Sequence, residues 1–517
     1  MGSKSPTIQS QTQTQTQTQT QIQHPKEREQ IQIQEEKQKQ IRIAIIGAGI
    51  AGLSLAAALL TKHKHKQFKI QIYESVPHHT DKGAGLALHA NALSAMSLLG
   101  PSIRRAYLDA AVSMSSPSPS PSTSKDEEEE EEGQEMATQV ILAHGPHAGE
   151  LVAELGRARG RKSVSRADLL GGVLRLVGSG SVLFGRRLVG VSERDEGDDD
   201  GTGMGGGETG REKRRVIKLE FQNGETAETD CLIGADGIHS VVRAHLLGRD
   251  HPATKPKNRD RWQVYRTLVS AEEARAQIGE RWTRAVPILL GPRGHVNCIP
   301  MNKGTRVSAG VAVRGASVSG SRGGGGLGVG GDDGDDRRHD GSRPLDPSLY
   351  SDYTEDAQRI VRMVAKDTSA SWSVGDHDHA PYFHRGRVVM IGDAAHASLP
   401  FAGNGAAQAL EDAAVLDHLF GRVKEVSQIE AALAAFDAVR RPRSQKVVDT
   451  ARAFGRVYAY AEGNLHEDPQ GMRDFFTEAA AFTNEVDLNK QNRDALEIYE
   501  SILRGDLRHN RANQEQS

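Results

Sequence analysis

The chain has 517 residues, with 65 Lys+Arg against 68 Asp+Glu, a formal net charge of −3, 37% hydrophobic residues and 4% aromatic residues. So balanced a charge offers no long-range field for nucleic acid or an anionic membrane. Two cysteines, Cys231 and Cys298, exclude a disulfide scaffold and any multi-cysteine metal centre, and the low apolar content implies that part of the chain does not fold.

Residues 1–40 are Gln/Thr repeats and charge without apolar periodicity, and residues 113–136 run from Ser/Pro repeats into the acidic block Glu127–Glu132. Residues 193–215 and 316–345 are rich in Gly, Asp and Arg. None of these tracts can bury enough apolar surface to offset the entropy of ordering, so they read as a tail and as insertions at surface loops. About 400 residues remain, enough for one large or two moderate domains. In Met1-Gly2-Ser3-Lys4-Ser5-Pro6, Pro6 stands where a myristoylation signal needs Ser or Thr, and no charged-then-apolar leader follows. The apolar stretch Ala44–Leu60 is broken by glycines in a turn pattern and is no membrane span, so the expectation is a soluble, cytoplasmic protein.

Inside that stretch lies the first chemical signal. Ile41–Ile46 is short, β-branched and apolar, as a buried parallel strand should be. It runs into Gly47-Ala48-Gly49-Ile50-Ala51-Gly52, and then Leu53, Ala56, Ala57 and Leu60 recur at helical spacing. In this strand, turn and helix, Gly47 allows the tight turn, Gly49 lets a pyrophosphate approach the backbone and Gly52 lets the helix pack on the strand. A second strand, Phe68–Tyr73, ends at Glu74, 22 residues beyond Gly52, where a carboxylate can accept hydrogen bonds from ribose hydroxyls. The basic run Lys62–Lys66 between them reads as a solvated loop.

Two more apolar strands end in glycine and an acid. Cys231–Gly234 leads to Ala235-Asp236-Gly237, and Arg387–Ile391 leads to Gly392-Asp393-Ala394-Ala395-His396. After the latter come Pro400, the small-residue segment Gly403-Asn404-Gly405-Ala406-Ala407, and a helix carrying Leu410, Ala413, Ala414 and Leu416. The start of that helix can face a ring that becomes anionic. Gly47-x-Gly49-x-x-Gly52, Asp236-Gly237 and Gly392-Asp393, in this order, resemble the class A, single-component FAD-dependent aromatic hydroxylases, and most of all the salicylate hydroxylase-like enzymes of fungi. The resemblance covers roughly residues 41–460 outside the insertions.

The resemblance implies an α/β fold, in which a Rossmann-like FAD-binding domain (41–250 and 381–450) is interleaved with a β-rich substrate domain (255–380), with C-terminal helices from 451 to 517. It implies that Glu74 holds the adenosine ribose, that Gly83, Ala84 and Gly85 line the flavin edge, and that Arg166 contacts FAD. Asp393 and the backbone of Gly405 and Ala406 would bind the ribityl chain and flavin, and Asp236 would serve both pyrophosphate contacts and reaction with NAD(P)H. It further implies that NADH or NADPH reduces FAD and that O2 then forms a flavin hydroperoxide, which hydroxylates a phenol or hydroxybenzoate such as salicylate. Related enzymes carry an arginine where this chain has Arg266, in Trp262–Val269, and a cation there can engage an anionic substrate. Tyr265 then points to the opposite face and packs.

One departure stands out. Related enzymes often have a tyrosine before the proline of the next sheet segment, and here Gly294–Pro300 puts Ile299 there. His295 or Asn297 could supply a polar group instead, and His89 is a similar candidate near the flavin edge. His396 and both cysteines read as structural, and Asp376-His377-Asp378-His379 as an oxygen-rich loop rather than a metal site. The same-fold rival is an FAD-dependent epoxidase or hydroxylase of a larger secondary-metabolite intermediate. A NAD-linked dehydrogenase and a non-catalytic flavin-binding protein are rivals of other classes, and the two glycine–acid strand ends argue against the dehydrogenase.

Overall fold

Ile41, Ile43 and Ile45 are each at most 1% exposed, and burying such a side chain contributes roughly 1.5–3 kcal/mol. Their strand pairs in parallel with Phe68–Tyr73 on one side and with Cys231–Gly234 on the other. This is the centre of a six-stranded sheet in the order His384–Arg385, Val388–Met390, Cys231–Gly234, Ile41–Ile46, Phe68–Tyr73, Val182–Leu183. Only the edge pair His384–Arg385 and Val388–Met390 is antiparallel. The computed structural model describes residues 40–63, 68–78, 85–111, 135–159, 163–178, 180–195, 215–316 and 344–506. The Gln/Thr tail, Ala84 and most of the low-complexity tracts lie outside the described residues. Among the described residues no helix is long and apolar enough to cross a membrane.

The glycine turn is sterically obligatory. Gly47 has φ +104°, and a Cβ there would stand 2.2 Å from the carbonyl oxygen of Ala235. A Cβ on Gly52 would stand 2.1 Å from the carbonyl oxygen of Gly47. Helix Ile50–Lys62 can therefore lie directly on its strand, with Leu55, Ala56, Ala57 and Ala58 wholly buried.

A seven-stranded sheet runs Ser371–Ser373, Gln263–Ser270, Arg306–Val313, Gly294–Met301, Val286–Gly291, Glu135–Leu142, Leu151–Arg159. All its pairs are antiparallel except Val286–Gly291 with Glu135–Leu142. Its alternation separates two faces. Tyr265, Val296, Cys298, Ala309 and Val311 pack with Ile360, Val361 and Val364 of helix Glu355–Ala365, while Arg266, Asn297 and Gly310 face the other way, into a cavity.

Two features depart from the domain division expected from sequence. Strands Glu135–Leu142 and Leu151–Arg159, placed there with the FAD-binding segment, belong to the second sheet, because the burial of Val140 and Leu142 is satisfied against strand Val286–Gly291. Helix Ile429–Tyr458 is continuous across the boundary drawn at 450 and contains Pro442. Two further helices, Pro469–Asn484 and Leu488–Arg504, complete the C-terminal region.

That long helix holds a buried ionic network. Arg440, wholly buried, donates from Nη1 to Glu411 and from Nε to Asp412 (2.7 Å). Arg443 adds two hydrogen bonds to Glu411 (2.7 and 2.9 Å) and reaches the carbonyls of Phe482 and Thr483. Burial alone would push Glu411 and Asp412 upward, but for Glu411 the two arginines, and for Asp412 His396 and Arg440, more than offset it, and Asp412 falls to about 2. Removing one partner leaves a buried charge uncompensated, which typically costs about 3–5 kcal/mol. Arg440→Ala should therefore lower the unfolding free energy by about that amount in urea titrations, and a loss below 1 kcal/mol would show that water reaches the network.

Candidate active site

The first of two joined cavities sits over the glycine turn. It measures about 400 Å³ and is lined by Gly47, Ala48, Gly49, Glu74, Arg166, Asp236 and Asp393, among others. Glu74 Oε2 accepts from the backbone N–H of Ala48 (2.7 Å), while Oε1 accepts from Val76 N–H (3.0 Å) and the Ser75 hydroxyl (3.1 Å). The carboxylate is thus fixed at the end of the second strand, beside the turn that must carry a pyrophosphate. Arg166 starts helix Arg166–Val177 and lines both cavities. Burial lowers its pKa, and the charges of Asp393 and Glu74 pull it back up. The guanidinium therefore shares a cavity wall with two carboxylates whose charge it feels.

Asp236 lines the first cavity and also organises its own turn. Its carboxylate accepts from the Ser240 hydroxyl and from the N–H groups of Val241 (2.7 Å) and Val242 (3.1 Å). It thereby holds the start of helix Val241–Leu247 and shapes the turn from which Gly237 faces both cavities. Burial raises its pKa against these hydrogen bonds.

The second cavity, about 430 Å³, shares Gly49, Arg166, Ala235, Gly237 and Asp393 with the first. Gly85, Gly405 and Ala406 line it, as expected; Ala84 lies outside the described residues. The loop before Gly405 is pinned by Asn404, whose Oδ1 accepts from Asn91 (3.0 Å) and Gln408 (2.9 Å) and whose amide donates to Asn484 (2.9 Å). Behind it, Asp412 Oδ2 accepts from the N–H of Gly392 (2.8 Å) and bonds His396 Nε2 (2.7 Å), which gives His396 a structural place. The two wholly buried cysteines are also core residues. In the Asp376–His379 loop, Asp376 pairs with Arg259 and Arg452, and Asp378 with Lys257 and Arg259.

The far wall is the second sheet, and strand register sets its chemistry. Arg266 pairs with Gly310, and Gly310 with Asn297, so the three residues form one row across neighbouring strands. A Cβ on Gly310 would stand 2.8 Å from Asn297 Oδ1; its absence leaves a notch between a guanidinium and an amide. The next row on the same face is Val264, Ala312 and His295. Burial, the only cause acting, lowers the Arg266 pKa, and its Nε and Nη1 have no hydrogen-bond partner among the described residues. Trp372 offers its ring face 5.6 Å away. His295 is 6% exposed, and burial pushes its pKa down to about 3, so it is a neutral imidazole at physiological pH.

Sequence reasoning missed Tyr458 and Phe401, which reach this cavity from a C-terminal helix turn and from the loop before Gly403. Neither belongs to a local pattern that marks a pocket. Ile299, standing where related enzymes often have a tyrosine, lines the cavity, and Tyr458 brings a phenol to the same cavity beside His295.

Two cavities that share lining residues, glycines at the strand ends, a fixed carboxylate on the second strand and a largely apolar cavity wall beyond them define a dinucleotide-binding flavoprotein with its own substrate chamber. The glycine cradle, the helix start and Arg166, which lines both cavities, fit FAD and would hold it. A family model described as an FAD binding domain matches residues 339–451. Over 442 residues the chain is 33% identical to 6-methylsalicylate 1-monooxygenase of Aspergillus terreus, covering 84% of this chain and 87% of that protein. It is 28% identical over 396 residues to salicylate hydroxylase of Pseudomonas putida, covering 75% and 80%. The solved structure of a salicylate hydroxylase substrate complex matches with a TM-score of 0.67 at 26% identity, over 89% of this chain and 98% of that one. The chain belongs to the single-component FAD-dependent aromatic hydroxylases of the salicylate hydroxylase type. It is an FAD-dependent monooxygenase that draws its reducing equivalents from NADH or NADPH.

Loss of a charged hydrogen-bond acceptor costs about 1.5–3 kcal/mol, so Glu74→Ala should weaken FAD binding by about tenfold or more in a fluorescence titration of the apoprotein. Unchanged flavin content after gel filtration would remove Glu74 from cofactor binding. His295 supplies a pH test as well. Its folded pKa lies below the unfolded value of 6.5, so only the unfolded state takes up the proton as pH falls from 6.5 towards 3. Its contribution to stability is complete above pH 6.5 and declines by up to about 1.4 kcal/mol per pH unit below it. His295→Leu should accordingly flatten the acid limb of a stability–pH curve, and an unchanged slope would mean the imidazole is hydrated in the folded state.

Proposed function

We propose that the substrate is a phenol bearing a carboxylate, salicylate-like, and that Arg266 is its anchor. The observation that carries this reading is a half-buried arginine lining the chamber, whose shielded Nε and Nη1 have no hydrogen-bond partner among the described residues and on which burial alone acts. An uncompensated buried charge is unfavourable by several kcal/mol, and a substrate carboxylate seated in the Gly310 notch relieves it. Names of relatives point the same way, since both 6-methylsalicylate and salicylate are hydroxybenzoates.

The bound FAD supplies the redox chemistry: hydride acceptance from NADH or NADPH and activation of O2. The protein's own residues do the rest. The Arg266 charge beside the carboxylate favours the phenolate form of a neighbouring hydroxyl, the form in which the ring is most electron-rich. Val264, Val286, Ile288 and Ile299 surround the ring with apolar wall and exclude water. Helix Gly405–Phe420 turns its N-terminus, with Gly405 and Ala406, towards the chamber, so its dipole favours negative charge there by roughly 0.3–2 kcal/mol. His295, neutral and shielded, is a hydrogen-bonding group in this scheme and not a strong base.

The test is oxidation of NADH and NADPH by FAD-loaded protein with and without salicylate, followed for hydroxylated product. Stimulated oxidation with product supports the reading, and a flavin-containing protein that no hydroxybenzoate stimulates overturns it. In the same assay Arg266→Ala should raise KM for a carboxylated phenol by about 10–100-fold, the equivalent of a lost charged hydrogen bond. A neutral phenol should be affected much less, and equal effects on both would make Arg266 structural.

A further inference from the structure

The chamber continues beyond the Arg266 row, and its far end has a distinct chemistry. His295 lies two residues along its strand from Asn297, and Val264 two residues from Arg266, so their row is displaced by about 7 Å on the same face. Two aromatic residues face this row. The ring of Phe401 stands 5.3 Å from the His295 ring at 89°, and that of Tyr458 stands 5.0 Å from it at 62°. His295 Nδ1 and the Tyr458 hydroxyl are both buried, and neither has a hydrogen-bond partner among the described residues. His295 is 6% exposed and Tyr458 0%, and both line the cavity.

A buried polar atom left unpaired costs about 1–3 kcal/mol. Two such atoms from unrelated segments, a sheet strand and the last turn of a helix, meet at one end of one cavity. The other residues at this end, Val264, Ala312, Phe401 and Phe454, carry no charge, so nothing there attracts an anion. A phenol O–H can donate, and a neutral imidazole offers one donor and one acceptor nitrogen. Together they suit a hydroxyl or carbonyl oxygen.

We propose that His295 and Tyr458 form a second, neutral recognition pole, and that the substrate is an aromatic acid with an oxygen substituent on the ring edge remote from its carboxylate. The inference rests on the reading of Arg266 as the carboxylate anchor. The displacement between the rows matches the width of a benzene ring, so a molecule held by its carboxylate at Arg266 presents its opposite edge to this pole. Salicylate itself, with its hydroxyl next to the carboxylate, leaves the pole unused.

Calorimetric titration of the FAD-loaded full chain with salicylate and with 2,4-dihydroxybenzoate tests this. The dihydroxy acid should bind about tenfold more tightly, the worth of one or two hydrogen bonds. In Tyr458→Phe, which removes a single atom, and in His295→Leu, that ratio should fall towards one, with flavin content at the wild-type level as the check on folding. Equal binding of the two acids by the wild type overturns the pole while leaving the carboxylate anchor intact. A preference that survives in both variants overturns the assignment to these residues. Binding of neutral resorcinol with neither acid bound overturns the anchor and this inference with it.

Discussion

Two adjacent carboxylates, Glu411 and Asp412, are wholly buried on the helix that follows the Gly403 loop, and the geometry around the flavin seat depends on how they are neutralised. Charge in a protein interior is tolerable only when it is paired and its remaining lone pairs are hydrogen-bonded. Here Arg440 and Arg443 supply the charge, and Asn91, Gln408, His396 and the Gly392 backbone supply the remaining bonds. Apart from Gln408 on the same helix, the donors come from three distant segments: Asn91, the strand end Gly392–His396, and helix Ile429–Tyr458. Satisfying the carboxylates therefore fixes the strand end that bears Asp393, the loop before Gly405 and the C-terminal helices relative to one another.

Two half-buried arginines that line the cavities differ in their electrostatic surroundings. The charges of Asp393 and Glu74 partly restore the Arg166 pKa that burial lowers. Arg266 has burial alone acting on it. One guanidinium has carboxylates of the protein acting on it, whereas among the described residues Nε and Nη1 of the other have no hydrogen-bond partner. The proposed carboxylate anchor rests on that difference.

The legible parts of the sequence were those whose chemistry is local. Gly47, Gly49 and Gly52 sit within six residues between a β-branched strand and a helical repeat, and steric need dictates Gly47 and Gly52. Glu74 and Asp393 follow from strand ends, and the period of two along Trp262–Val269 put Arg266 and Tyr265 on opposite faces, as observed. Less legible was anything that depends on which distant segment arrives. Residues 135–159 form good strands, but nothing in their alternation says which of two sheets they join. Asp236 followed the motif into place, yet a serine four residues on and two backbone amides occupy its oxygens. Tyr458 carries no local mark at all, because its meaning comes from the sheet it meets.

Helix Ile429–Tyr458 carries Arg440 in its first half and Tyr458 in its last turn, 18 residues apart. At 1.5 Å per residue they are separated by about 27 Å along one continuous rod. Substitutions in the final turn can reshape the far end of the chamber without touching the ion network that seats the cofactor, since effects at sites so far apart are close to additive. A lineage that keeps the first half of this helix fixed and varies its last turn can exchange one aromatic acid for another while the oxidative machinery stays intact.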